Sequence, residues 1–195
     1  DKESLSFDFL KGRLFNRLKR IEHESLIKKA IGKNKAKLKI FDATAGSLID
    51  TIIFLKLGHK VVACEQSKIL IKLLKDAIER AKEEYSFFKN LVLINEDAAN
   101  VIELHQDSDI FYFDPMFNNT KRNIKRSGTL NKISNILSHE KLEDTSEDIF
   151  NYMQTSNYKK IIVKRPIKSK PLQEKINYQV KGKAIRFDIY VKNIY

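Results

Sequence analysis

Cysteine, glycine, proline and tryptophan are scarce in this chain of 195 residues, which has one cysteine, six glycines, three prolines and no tryptophan. The single cysteine, Cys64, excludes a disulfide within the chain and is typical of the reducing cytoplasm, where we expect the protein to reside. No apolar run approaches the ~18 residues that a membrane-spanning helix needs, and no signal peptide is visible. The sequence therefore predicts a globular protein with no membrane partner.

Patterns that bind metals or dinucleotides are absent as well. The four histidines are scattered along the chain, and none stands at a ligand spacing from another histidine or from Cys64. The G-x-G-x-x-G turn that holds the pyrophosphate of a dinucleotide is also missing. The sequence predicts no metal site and argues against a nicotinamide dinucleotide.

Positive charge is what the chain has in excess. Its 37 Lys and Arg against 25 Asp and Glu give a net charge of +12, and its pI is about 9.6. Such a charge favours a polyanionic partner, nucleic acid first. The alternative is a lysine-rich surface that is merely solvated.

The first 37 residues are basic, and we assign residues 1–37 to an N-terminal helical extension of a domain that covers residues 38–195. Apolar residues at near-helical spacing predict one helix over roughly 14–31, which ends at Gly32. One face of this helix would pack on the domain, and the other would carry basic residues towards solvent or RNA.

Strand and helix patterns alternate from residue 38 to residue 164. Strands are predicted at 39–42, 60–64, 91–94, 109–113 and 160–164, and helices at 48–57, from Ser67 to about Tyr85, at 99–104 and at 147–154. Residues 118–140 are polar, basic and without a clear pattern. Two segments that flank Gly182 predict a hairpin. The predicted fold class is α/β, a mostly parallel sheet with helices on both faces and a C-terminal antiparallel hairpin.

Four acidic residues stand at or just past predicted strand ends, namely Asp42, Glu65, Asp97 and Asp114. Ligands of open α/β sheets bind beyond the carboxyl ends of the strands. Glu65 follows Asp42 at close to the ~20-residue spacing at which an acid reaches a ribose hydroxyl, and Asp97 could accept from an adenine amino group. Polar residues at exposed strand ends without any ligand are the alternative.

The turn after Asp42 decides between two cofactors. Its small residues, Ala45 and Gly46, let the backbone approach a ligand, but the turn has only one glycine. A pyrophosphate needs a richer glycine turn, whereas S-adenosylmethionine has no phosphate. Asp42 could also face the amino group of that ligand, so the turn favours a methyl donor.

The stretch Asp114-Pro115-Met116-Phe117 indicates the chemistry. An acid at the end of the fourth strand can accept a hydrogen bond from an exocyclic amino group and orient the nitrogen lone pair towards a methyl group. Phe117 can stack on a base that has left its helix or loop. We predict that Asp114 and Phe117 are catalytic.

Several motifs occur in a specific order. They are Asp42-Ala43-Thr44-Ala45-Gly46, Leu57-Gly58, Glu65, Asp114-Pro115-Met116-Phe117, Val163-Lys164-Arg165-Pro166 and Gly182-Lys183 followed by Arg186-Phe187-Asp188. This combination resembles the RsmJ-like bacterial methyltransferases, which methylate guanine N2 in small-subunit ribosomal RNA. The resemblance implies the Rossmann-like class I methyltransferase fold, S-adenosylmethionine as donor and the 30S subunit or its RNA as partner. By position, it implies cofactor contacts at Asp50, Glu65, Gln66, Asp97, Ala98 and Asp114.

The chain departs from that family at two places. The family usually continues the first motif with Leu-Gly-Arg-Asp, whereas this chain has Ser47-Leu48-Ile49-Asp50. After the Asp-Pro-Met-Phe motif the family usually has Pro-His and a lysine-rich run, whereas this chain has Asn118-Asn119-Thr120-Lys121-Arg122. The first departure concerns the cofactor turn and the second the target nucleotide.

Two basic stretches without any acid could bind RNA phosphates, one between Asp114 and Glu140 and one between Asp148 and Glu174. The predicted contacts are Lys121, Arg122, Lys125, Arg126, Lys164 and Arg165. Binding that uses them should weaken steeply with salt. Two alternatives to a guanine-N2 methyltransferase stay open: an adenine-N6 or other nucleic-acid amino methyltransferase, and a non-catalytic RNA-binding or ribosome-assembly factor of the same fold.

Overall fold

The computed structural model describes residues 5–33, 36–115 and 128–192. Its α-helices are α1 (Gly12–Lys19), α2 (Ser25–Ile31), α3 (Ile49–Lys56), α4 (Lys68–Ala81), α5 (Ala98–Val101), α6 (Gly128–His139) and α7 (Ser146–Thr155). Its strands are β1 (Lys39–Asp42), β2 (Lys60–Cys64), β3 (Leu91–Ile94), β4 (Ile110–Phe113), β5 (Lys160–Pro166), β6 (Tyr178–Lys181) and β7 (Ile185–Val191). Short 3₁₀ helices cover Ile21–His23, Ser86–Asn90 and Ile102–His105.

The seven strands form one sheet in the order β3-β2-β1-β4-β5-β7-β6. Strands β1 to β5 are parallel to one another, and β7 pairs antiparallel with both β5 and β6. Because β1 to β5 run in one direction, their carboxyl ends all reach the same edge of the sheet. The predicted α/β class, with its mostly parallel sheet and terminal antiparallel hairpin, is confirmed.

Alternating apolar side chains along the strands bury both faces of the sheet. Ile40 and Tyr112 belong to the core under α1 to α4, which the helix α6 joins through Ile133. Phe41 and Phe111 belong to a second core on the opposite face, which α5 and α7 cover. The helices therefore lie on both faces, as predicted.

The N-terminal segment differs from the single helix predicted over residues 14–31, and that prediction is wrong. The first helix ends at Lys19, because the backbone of Arg20 leaves the helical region, and α2 starts at Ser25 after a short 3₁₀ turn. Arg17 spans this break by a two-pronged ion pair with Glu24, with N–O distances of 2.7 and 2.8 Å. Gly32 ends α2 at a φ of 106°, as predicted.

One face of the N-terminal segment packs on the sheet, as expected from its apolar residues. Phe7, Leu14, Leu18 and Ile27 are buried in the same core as the first strand. The boundary between residues 37 and 38 stays a prediction.

Further differences concern two element ends and one helix that the sequence did not predict. Helix α4 stops at Ala81, before Tyr85, and β5 extends to Pro166, which pairs with Ile185 at the end of the ladder. The polar stretch without a pattern contains α6. No helix among the described residues is both long and apolar enough to cross a membrane.

Candidate active site

A cleft of about 1100 Å³ lies at the carboxyl edge of the parallel strands. Its lining includes all nine residues that the sequence predicts as cofactor contacts: Asp42, Ala45, Gly46, Asp50, Glu65, Gln66, Asp97, Ala98 and Asp114. These residues are up to 72 positions apart in the sequence (114 − 42). The parallel arrangement of the strands brings them to one place.

The turn between β1 and α3 is tight and has left-handed backbone at two positions. Gly46 has a φ of 51° and Leu48 a φ of 60°. The amide of Leu48 donates to the carbonyl of Ala45 at 2.7 Å, and the amide of Ala45 donates to the carbonyl of Cys64 at 2.9 Å. The turn is therefore bound to the end of β2. Leu48 adopts a conformation that favours glycine, at the position where the RsmJ-like pattern has glycine.

Asp42 is buried and holds this turn together. Its carboxylate accepts from the amide of Thr44 at 3.1 Å and from the hydroxyl of Thr51. Burial raises the pKa of Asp42 to about 7, although both hydrogen bonds oppose the rise. Asp42 lines the cleft, but both of its oxygens already serve the protein's own backbone and side chains.

Glu65 links the same turn to the start of α4. Its two oxygens accept from the amides of Gly46 and Ser67, each at 2.9 Å. Burial raises the pKa of Glu65 to about 7, against the effect of these hydrogen bonds. Because an ionised carboxylate has about four acceptor positions, each oxygen can still accept from a ligand hydroxyl.

Three further residues shape the adenine side predicted for the cleft. Asp97 caps α5 by accepting from the amide of Ala99 at 3.0 Å, and Ala98 is buried beside it. Asn95 donates to the carbonyl of Glu65 at 2.9 Å and to that of Gln66 at 3.1 Å. Asn95 was not predicted from the sequence, although an amide side chain directly after a strand end is a signal for such a residue.

The centre of the cleft is a charged network around Lys164. Its ammonium group donates to Asp50 at 2.6 Å and to Asp114 at 2.7 Å. The Tyr112 hydroxyl also donates to Asp50, at 2.6 Å, and the amide of Asp114 donates to the Thr44 hydroxyl at 2.7 Å. Asp50 thus stands on the α3 side of the lysine and Asp114 on the β4 side.

Burial and Lys164 act in opposite directions on these two carboxylates. Burial raises the pKa of Asp114 to about 6, although the Lys164 charge lowers it. For Asp50, burial also favours the neutral form, but the Lys164 charge and the hydrogen bonds from Lys164 and Tyr112 outweigh it, so its pKa is lowered. The pKa of Lys164 is raised, because the two carboxylates outweigh its burial. At neutral pH all three groups are charged.

Of the six residues predicted to bind RNA, the structure describes two, Lys164 and Arg165. Lys164 points into the cleft, towards two carboxylates. Arg165 is only 7% exposed on the opposite face of the sheet and donates to the carbonyl of Lys170 at 2.5 Å. Neither presents an exposed cation, so their phosphate contacts stay untested predictions. Phe117, Lys121, Arg122, Lys125 and Arg126 lie outside the described residues.

Three further residues that were not predicted as site residues line the cleft, namely Tyr112, Thr44 and Arg17. Tyr112 and Thr44 lie inside motifs that were interpreted through their acidic neighbours. Arg17 reaches the cleft only because α1 packs over α3. Among the described residues, no group of three or more His, Cys, Asp and Glu could hold a metal ion.

The donor set fits S-adenosylmethionine better than a phosphate-bearing cofactor. The amide of Gly46, which a phosphate would need, already donates to Glu65. Five carboxylates line the cleft near the turn, at Asp42, Asp50, Glu65, Asp97 and Asp114. Such a surface suits a ligand that carries a sulfonium, an ammonium and ribose hydroxyls.

The strand order and this carboxylate-lined cleft define a class I S-adenosylmethionine-dependent methyltransferase. The profile of a family described as "Putative SAM-dependent methyltransferase" matches residues 1–192, and the chain belongs to this family, together with the proteins called ribosomal RNA small subunit methyltransferase J. The RsmJ-like resemblance is thereby confirmed, and S-adenosylmethionine is the cofactor of the family.

Two relatives illustrate the similarity. Ribosomal RNA small subunit methyltransferase J of Francisella tularensis subsp. novicida is 33% identical, with 96% of this chain and 80% of the relative covered. The protein of the same name from Bdellovibrio bacteriovorus is 28% identical, with 98% of this chain and 75% of the relative covered.

Solved structures share the fold. The S-adenosylmethionine-dependent methyltransferase NGO1261 from Neisseria gonorrhoeae matches with a TM-score of 0.72 at 24% identity, over 98% of this chain and 76% of that chain. The T. thermophilus 16S rRNA N2 G1207 methyltransferase RsmC, in complex with AdoMet and guanosine, matches with a TM-score of 0.57 at 15% identity, over 94% of this chain and 44% of that chain.

Proposed function

We propose that this protein transfers a methyl group from S-adenosylmethionine to the exocyclic N2 of a guanine in small-subunit ribosomal RNA. The observation that carries the proposal is Asp114, an acceptor at the end of β4 whose orientation Lys164 and Thr44 set. The names of the relatives from Francisella and Bdellovibrio support ribosomal RNA of the small subunit as the substrate. The ribosome as partner implies the cytoplasm.

The cofactor contacts follow from the chemistry of the cleft residues. Glu65 would accept from ribose hydroxyls, Asp97 from the adenine amino group, and the Ala45–Gly46 backbone would lie against the methionine part. When bound there, S-adenosylmethionine supplies an electrophilic methyl group on a positively charged sulfur.

Asp114 prepares the nucleophile. In the free protein its Oδ2 accepts from Lys164, and no described residue donates to its Oδ1. We assign Oδ1 to the guanine amino group, whose nitrogen lone pair that hydrogen bond would orient. As the guanine nitrogen gains a carbon it loses one proton, which a carboxylate with a pKa of about 6 can accept and release to water. Holding the reactants in line supplies most of the remaining acceleration.

Lys164 keeps this acceptor ionised. Asp42, Asp50 and Asp114 share a small buried region, where burial first and then repulsion between neighbouring carboxylates raise the pKa of Asp42 and of Asp114. The Lys164 ammonium lowers the pKa of Asp114 and of Asp50. Two roles remain predictions, because their residues lie outside the described part of the chain: stacking of the target base on Phe117, and phosphate contacts of the residues from Lys121 to Arg126.

Asp114 would accept from the N6 amino group of adenine equally well, so adenine remains the second candidate target. The experiment combines purified protein, S-adenosylmethionine with a labelled methyl group, and 30S subunits or a 16S rRNA transcript without the modification. Mass spectrometry of the nucleosides distinguishes the candidates: N2-methylguanosine supports the proposal, and N6-methyladenosine replaces it.

The Asp114→Asn variant tests the mechanism. We expect turnover to fall at least about 100-fold, because the variant loses its proton acceptor, while calorimetry still shows S-adenosylmethionine binding. Asp76→Asn is the matched control, since Asp76 lies exposed on α4 in a surface pair with Arg80, and it should stay fully active. Retained turnover in Asp114→Asn removes Asp114 from its role. A folded wild type that binds no S-adenosylmethionine would be a non-catalytic factor.

A further inference from the structure

The turn of the terminal hairpin reaches the same edge of the sheet as the cleft. Because β7 runs antiparallel to β5, its first residue, Ile185, pairs with Pro166 at the carboxyl end of β5. The amide of Ile167 then donates to the carbonyl of Ala184 at 2.9 Å. Ala184 and Ile185 line the cleft. The hairpin turn thus lies at one side of the cleft mouth, and the loop after β5 is hydrogen-bonded to it at its first residue.

The N-terminal helices complete that side. Leu26 of α2 packs directly against Gly182 in the hairpin turn, where an added Cβ would lie 2.9 Å from a Leu26 methyl group. Arg13 and Leu14 of α1 line the cleft as well. Three segments that are distant in the sequence therefore meet at one packed rim.

Each of these segments contributes an exposed cation: Arg13 of α1, Lys168 of the loop after β5, and Lys183 of the hairpin turn. We name these three residues the basic rim. Within the described parts of the chain, no carboxylate lies within ion-pair distance of any of them. At the opposite edge of the sheet, Lys39 pairs with Asp107 and Lys159 with Asp109.

We propose that the basic rim binds phosphates of the RNA strand on either side of the target nucleotide. This inference rests on the proposed function. A cation without an acidic neighbour gains most from a phosphate, because no existing pair has to be broken. The carboxylates inside the cleft repel phosphates but accept hydrogen bonds from a base. The charge pattern therefore draws the base inwards and keeps the backbone on the rim.

The basic rim is better placed to bind phosphates than Lys164 and Arg165, for which the sequence predicted this role. Lys164 already neutralises two carboxylates, and Arg165 is buried. Lys168 belongs to the same basic stretch but lies past the end of β5, where the chain reaches the surface.

The test is a triple variant, Arg13→Gln with Lys168→Gln and Lys183→Gln. Its control is Lys72→Gln with Lys75→Gln and Lys89→Gln, three exposed lysines on α4 and before β3. Both variants lose three charges. Filter binding to an unmodified 16S rRNA transcript, at about 50 to 300 mM salt, measures affinity and its salt dependence.

For the rim variant, we expect the slope of log K against log salt to become shallower by about 2, since each lost phosphate contact contributes about 0.7 for single-stranded RNA. Its KM for RNA should rise at least about tenfold at the lowest salt concentration. Its kcat and its affinity for S-adenosylmethionine should match those of the wild type. The control variant should keep the wild-type slope.

An unchanged slope in the rim variant, or equal losses in both variants, would overturn the inference. A loss seen with 30S subunits but not with the naked transcript would overturn it too, because the rim would then contact a ribosomal protein. A wild type that binds the transcript through the rim yet methylates nothing would refute the proposed function and leave the rim in place.

Discussion

Leu48 combines backbone strain with complete burial. Its φ of 60° lies in the left-handed region, which costs a residue with a Cβ about 1–2 kcal/mol. The side chain is 0% exposed and belongs to the core on the α3 side of the sheet. Burial of a leucine contributes about 2–5 kcal/mol by truncation, which exceeds the strain. The departure from glycine at this position is therefore compatible with a folded cofactor turn.

This balance between strain and burial predicts an unusual order of stability among variants of Leu48. Leu48→Ala should be less stable than Leu48→Gly by about 1 kcal/mol, because alanine loses the same packing and keeps the strain. Leu55, which is buried in α3, is the control: Leu55→Gly should be less stable than Leu55→Ala by about 1 kcal/mol. Urea unfolding measures all four. The same order at both positions would show that Leu48 carries no strain.

The role proposed for Asp114 predicts a defined pH dependence of the reaction. Asp114 accepts a hydrogen bond and a proton only as a carboxylate, and its pKa is raised by burial to about 6. Activity should therefore rise with pH through about 6. Lys164 lowers that pKa by its positive charge, so its removal moves the rise to higher pH.

The variant Lys164→Met should shift the acidic limb of kcat upwards by about one pH unit or more. Lys39→Met, which removes a cation at the far edge of the sheet, is the matched control and should leave the limb in place. Circular dichroism checks that both variants fold. A limb that stays near pH 6 in Lys164→Met would show that Lys164 does not set the ionisation of Asp114.

At the scale of the elements, helix α6 is linked to the cofactor turn through the start of α4 and Glu65. It lines the cleft with Ile133 and Leu137. Directly after it, Glu140 accepts from the Ser67 hydroxyl and, at 3.1 Å, from the amide of Ile69 at the start of α4. A carboxylate at a helix N-terminus satisfies otherwise unpaired amides. Because Ser67 also donates to Glu65, this contact connects α6 with the predicted ribose site.

Removal of this contact should loosen α6 specifically. We expect Glu140→Ala to lower the free energy of unfolding by about 1–2 kcal/mol, since hydrogen bonds to a charged acceptor are lost. Amide hydrogen exchange in α6 should become faster, while exchange in α7 stays unchanged. Glu147→Ala, an exposed substitution in the first turn of α7, is the control. Unchanged exchange in α6 would mean that its apolar contacts alone hold it.

At the scale of the whole molecule, positive charge predominates on the surface and negative charge in the walls of the main cleft. It carries a net charge of +12, yet the walls of its main cleft carry at least five carboxylates. Exposed cations raise the local concentration of RNA around the protein, whereas the acidic interior favours cationic and hydrogen-bond-donating groups. A protein that holds a sulfonium cofactor and a polyanionic substrate needs both signs of charge, at separate places.

Local patterns in the sequence were sufficient to predict most strands of the sheet. The strands β1, β2 and β3 have the predicted bounds, because their apolar runs end at turn residues or acids. The convergence of Asp42, Glu65 and Asp114 also follows from sequence, since parallel strands bring their carboxyl ends to one edge. The helix break after Lys19 does not follow, because the Arg17–Glu24 pair spans seven residues and only the folded chain defines it.

Lys164 shows what the sequence determines by itself and what only the tertiary structure determines. The sequence alone determines that it stands in a basic stretch at the end of a strand, next to Arg165, and that pattern indicates phosphate binding. The strand alternates its side chains between two faces, so the tertiary structure buries Arg165 on one face and directs Lys164 into the cleft on the other. Asp50, its partner, lies 114 residues away in the sequence. Only the folded chain brings Asp114 at the end of β4 and Asp50 of α3 to this lysine, which makes Lys164 part of the candidate active site.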